Sequence, residues 1–90
     1  MVTRRPSPSN ARIAVLTLLD QRSVDATVCP SEVARSLAKS VQSSDWRSFM
    51  PAVHTAIDEL MAEGAVQLSW KGRPLDRRAG PYRISRRRGL

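Results

Sequence analysis

The chain is predicted to be α+β, a winged helix-turn-helix: three helices plus a C-terminal β-hairpin in a small two- or three-stranded sheet. Three observations lead there. Residues 43–64 carry apolar side chains at helical spacing, the apolar period changes from 3.6 to 2 after Gly64, and the surplus positive charge falls entirely on the segment that follows. Two shorter helical stretches stand in front, separated from the long one by a polar turn.

The long stretch is the best-defined element. Trp46, Phe49, Met50, Val53, Ile57, Leu60 and Met61 share one stripe of a 3.6-residue helix. Gly64 supplies the left-handed residue that commonly ends a helix. Ser43 or Ser44 can accept an orphan N–H at the front, where Asp45 suits the positive end of the dipole. Pro51 cannot donate to the Arg47 carbonyl, so a short turn over 45–49 is expected to kink into a main helix over 51–63.

Upstream, a first helix is expected over 10–22, capped by Ser9, with Ile13, Val15, Leu16 and Leu19 buried. Residues 26–28 are extended enough for one short strand. Cys29-Pro30-Ser31-Glu32 opens a second helix ending near Lys39, with proline in the first turn and Glu32 reaching back. Residues 40–45 turn into the long helix, which reads as helix-turn-helix. After Gly64, Val66, Leu68 and Trp70 alternate with polar residues, as do Tyr82 and Ile84, giving two strands around a basic loop over 71–80. The expected core is Trp46, Phe49, Val53, Ile57 and Leu60 with Leu16, Leu19, Val33, Leu37, Val66, Leu68 and Ile84.

Ninety residues make one domain. Residues 1–8 are read as a disordered arm, 9–85 as the winged-helix domain and 86–90 as a basic tail. Arg4 and Arg5 of the arm are able to reach a nucleic-acid groove. No run approaches the ~20 apolar residues of a membrane span. The apolar run 13–19 is short, adjoins Arg12 and lacks a small-residue cleavage site, so it reads as a mature helix. A single cysteine excludes an intrachain disulfide and fits a reducing cytoplasm.

The net charge of +7 is unevenly placed. Residues 1–63 carry seven Lys/Arg and seven Asp/Glu, whereas residues 64–90 carry eight against one, Asp76. Such an asymmetry collects polyanions.

Three blocks of sequence resemble a family of small bacterial proteins catalogued as a domain of unknown function. They are Thr27-Val28-Cys29-Pro30-Ser31-Glu32-Val33-Ala34-Arg35, Trp46-Arg47-Ser48-Phe49-Met50-Pro51-Ala52-Val53 and Gly80-Pro81-Tyr82-Arg83-Ile84. The resemblance covers roughly residues 10–85. It implies a winged-helix fold and supplies no activity.

Chemistry finds little support. One Cys and one His cannot make a metal site of three or four ligands, and no cofactor is expected. A Cys29–His54 nucleophile–base pair has no orienting third group and no Gly-rich loop, so no enzyme is expected. Nucleic-acid binding is the leading reading. The second helix of a helix-turn-helix presents its N-terminal residues to base edges. Arg47, Ser48, His54 and Thr55 are expected on that face, with Arg35 and Lys39 clamping one side. Lys71, Arg73, Arg77, Arg78 and Arg83 would meet the flanking backbone. Asp58, Glu59 and Glu63 oppose this, because they make the second half of the helix acidic. The alternative is an interaction module that docks acidic protein partners.

Overall fold

Helix α3 (Met50–Ala62) packs against every other layer of the molecule. A computed structural model of the chain describes residues 8–23 and 26–87. Ahead of α3 come α1 (Pro8–Asp20), α2 (Pro30–Ser40) and a 3-10 turn (Trp46–Phe49). Behind it come β1 (Val66–Trp70), β2 (Arg73–Leu75) and β3 (Arg83–Arg86). Three helices and a C-terminal antiparallel sheet make the expected α+β winged-helix layout. Arg4, Arg5 and Arg88, assigned to the arm and the tail, lie outside the described residues.

Pro51 sits in the first turn of α3, where its missing N–H leaves no bond unmade. The Arg47 carbonyl that it cannot serve accepts from the Met50 N–H instead, closing the 3-10 turn. Ser43 Oγ accepts the Asp45 N–H at 3.1 Å, and Ser48 Oγ donates to the Asp45 carbonyl at 2.8 Å. The entry to α3 is thereby tied down by two serines.

Gly64 ends α3 at φ +75°. Its N–H reaches the Met61 carbonyl at 3.0 Å, and the Ala65 N–H reaches Leu60 at 2.9 Å, the two bonds of a Schellman motif. Helix α2 ends in the same pair of bonds, from Gln42 to Lys39 and from Ser43 to Ala38, with Gln42 at φ +56°. A Cβ on Gly64 would meet only the flexible Arg87 Nη1 at 3.4 Å, so the backbone angle sets the cost. Gly64→Ala is expected to lower stability by about 1–2 kcal/mol in urea unfolding. An unchanged midpoint would show that the left-handed angle carries no strain here.

The core is built on Val53, Ala56, Ile57 and Leu60 of α3, packed against Val33, Ala34 and Leu37 of α2 and Val66, Leu68 and Ile84 of the sheet. Helix α1 departs from expectation. It spans residues 8–20 and buries Ala11, Val15 and Leu19, leaving Ile13 64% and Leu16 40% exposed. Apolar residues lie on more than one side of this helix, so periodicity alone does not choose its face. The buried stripe is Ala11, Val15 and Leu19, four residues apart, and Arg12 beside it forks onto Glu63 of α3 at 2.5 and 2.8 Å. Trp46 is likewise not in the core but packs half-buried at its edge.

The sheet has the order β2-β1-β3. Strand β2 lies inside the segment read from sequence as loop. Its Pro74 pairs opposite Ser69 on an edge strand, the place in a sheet where proline is tolerated. Lys71 (φ +52°) and Gly72 (φ +81°) form the two-residue turn between Trp70 and Arg73, with positive φ at both positions as a type I′ hairpin requires. Residues 76–82 then cross to the other side of β1, where β3 pairs with it. Strand β3 continues through Arg86, one residue into the stretch assigned to the tail. Val28 bridges Ile84 by two hydrogen bonds of 2.8 Å, which is all the expected strand over 26–28 amounts to.

Candidate nucleic-acid interface

The cations singled out in the sequence fall into two exposed groups and two committed residues, Arg78 and Arg83. Arg35 and Lys39 project from α2, one turn apart, beside the 3-10 turn that carries Arg47 and Ser48. The guanidinium carbons of Arg35 and Arg47 lie over the Trp46 ring at 4.7 and 4.6 Å from its centroid. A cation–π contact positions a guanidinium without neutralising it. The second group lies on the wing. Lys71 stands in the hairpin turn, Arg73 on β2, and Arg77 on the loop after it, next to the ion-paired Arg78. Arg83 is committed within the fold, because its Nε donates to Thr27 Oγ1 at 2.6 Å. That bond staples β3 to the segment before α2.

The wing loop folds back onto α3. Arg78 forks onto Asp58, Nε to Oδ1 at 3.1 Å and Nη2 to Oδ2 at 3.0 Å. Arg77 and Asp76 close a shallow cleft there with Met61 and Ala62. Glu63 and Glu59, on the other flank of α3, both accept from Arg12 of α1. The acidity that counted against this helix is therefore met within the fold. Arg22 and Glu32 pair at 2.5 Å, and Arg86 pairs with Asp20. No carboxylate partner among the described residues meets Arg35, Lys39, Arg47, Lys71, Arg73 or Arg77.

His54, read from the sequence as lying opposite or beside the apolar stripe and able to contact phosphate or guanine, is half-buried, with Nδ1 2.7 Å from the Tyr82 hydroxyl and the rings tilted at 5.8 Å. Burial lowers its pKa below the ordinary 6.5, and the nearby charge of Arg78 lowers it further against the opposing pull of Asp58. His54 is thus neutral at pH 7 and works as a link between α3 and the strand approach. Thr55, one residue on, is exposed.

A lowered histidine pKa has a definite sign in stability. The unfolded chain takes up this proton near pH 6.5 while the folded chain does not, so the stabilisation is complete above that pH and lost as pH falls below it. The lowered pKa values of Glu32 and Glu63, held down by Arg22 and Arg12, act in a separate window below their ordinary 4.5. His54→Gln is expected to flatten the urea midpoint between about pH 7.5 and 5.5. An equal pH slope in both proteins would show that His54 does not titrate this way.

Cys29 and His54 have separate partners, with Cys29 Sγ 3.0 Å from Ser31 Oγ. Among the described residues, no group of three His, Cys, Asp or Glu is placed to hold a metal ion. No helix among them is long and apolar enough to cross a membrane.

A family model described as protein of unknown function (DUF3253) matches residues 8–87. The chain belongs to that family. No curated protein matches it. The match begins at the first residue of α1 and ends just past β3, so the DUF3253 unit and the winged-helix fold coincide. Two features of this DUF3253 domain were not legible in the sequence. One is Trp46, whose indole at the rim holds two arginines. The other is Arg12, which cancels two carboxylates from a helix roughly fifty residues away; the repeat of Glu59 and Glu63 one turn apart is the only local hint of it.

Proposed function

We propose that this DUF3253 domain binds duplex DNA through backbone phosphates, with modest or no sequence specificity. The supporting observation is the division of charge around α3. Its three acids are taken up by Arg12 and Arg78, while six cations at its N-terminal end and on the wing have no carboxylate partner among the described residues. Phosphate contacts of this kind supply affinity and register without reading bases. The groove-facing positions add only short, neutral hydrogen-bonding groups, Ser48 and Thr55, together with Arg47. With His54 turned toward Tyr82, little remains there for bidentate base readout.

The test is binding of a random-sequence duplex at low salt, measured by fluorescence anisotropy. Wild-type protein is expected to bind at micromolar to sub-millimolar Kd, and the triple variant K71A/R73A/R77A more weakly. A Kd above about 1 mM for wild-type protein would remove the DNA reading. It would leave acidic protein surfaces as the partner class for the same cations.

A further inference from the structure

A cation-lined cleft opens beside Trp46. It lies between the second half of α2, the turn after it and the 3-10 turn, with a volume of about 510 Å³. Arg35 and Lys39 line it together with Gln42, Ser43, Ser44 and Trp46. No carboxylate lines it. A volume of this size suits a small ligand rather than a protein segment.

Three properties set the ligand class. First, the charge is positive and unneutralised, since Arg35 is held by the indole and Lys39 has no acid partner among the described residues. Second, the Trp46 indole that ends the cleft also carries Arg47, outside the lining, so each guanidinium is positioned by a group that leaves its charge intact. Third, the carbonyls at the end of α2, which would repel an anion, are already engaged. Leu37 accepts from Ser40 Oγ, Ala38 from the Val41 and Ser43 N–H groups, and Lys39 from Gln42. One planar guanidinium, one ammonium, two hydroxyls and the Gln42 amide, with no carboxylate among them, match adjacent phosphate groups.

We propose that this cleft binds linked phosphates, such as inorganic tripolyphosphate or the tail of a nucleoside triphosphate, and that an occupied cleft displaces duplex DNA. The first half stands without the DNA reading. The second rests on it, because Arg35 and Lys39 are shared.

Tripolyphosphate is the probe, and Trp46 is the reporter in a Trp70→Phe protein, where it is the single tryptophan. Titration at constant ionic strength is expected to give a saturable fluorescence change at one equivalent. The variant R35Q/K39Q is expected to weaken it by about tenfold or more, the loss of one or two charge-assisted hydrogen bonds. The wing variant K71A/R73A/R77A should keep the Kd within about twofold. No saturation by about 5 mM, or an equal loss in the wing variant, overturns the site. Added tripolyphosphate should also release bound duplex at unchanged ionic strength. Saturation of the cleft in a protein that binds no duplex would sink the DNA reading and leave the site standing. Binding of both without competition would overturn the displacement.

Discussion

Between about 50 and 200 mM salt, the affinity of this domain for a random duplex is expected to fall about a thousandfold. The figure follows from the six cations that face solvent without an acid partner among the described residues: Arg35, Lys39, Arg47, Lys71, Arg73 and Arg77. Each phosphate neutralised contributes a log–log slope of about −0.9, so six give a slope of about −5. Removing Lys71, Arg73 and Arg77 together should halve that slope, because three fewer counterions are released. Arg78 behaves differently. Its guanidinium is committed to Asp58, so Arg78→Ala uncovers a carboxylate on α3 and weakens binding by repulsion. A slope of about −3 or shallower for the intact protein would mean that the two cationic groups do not meet the same duplex.

Ile57→Ala is expected to cost about 2–5 kcal/mol of unfolding free energy. Ile57 is 0% exposed on α3, among residues from α2 and the sheet, and truncation leaves a cavity that several elements would have to move to fill. In a domain of this size such a loss is a large share of total stability and should lower Tm by more than about 10 °C. Ile13→Ala is the matched control. Ile13 is 64% exposed on α1, so its truncation should change stability by no more than about 0.5 kcal/mol. Equal losses at the two positions would mean that α1 is rotated from the orientation described.

The contrast between those two isoleucines marks how far the sequence could be read. Helix α3 was legible because one apolar stripe, Pro51 at its entry and Gly64 at its exit all point to the same element. Helix α1 was legible as a helix but not in its rotation, since Ile13, Val15, Leu16, Leu18 and Leu19 leave no clearly polar side. Trp46 falls on the stripe of an α-helical wheel, yet it stands in a 3-10 turn. Three residues per turn carry it off that stripe to the rim. Strand β2 has three residues and a proline, too short for a period of two to register. Of the candidate site, the residue types and the two clusters were visible. The ion pairs were not, because Arg12 meets Glu63 and Arg78 meets Asp58 only after the chain has folded.

The bridge between Val28 and Ile84 ties the link between the first two helices to the last strand. Closing a loop of that length costs entropy before any contact rewards it, so this joint belongs late in assembly. Truncation before residue 84 is therefore expected to remove this joint together with the β1–β3 pairing, and to lower stability more than loss of the wing turn alone.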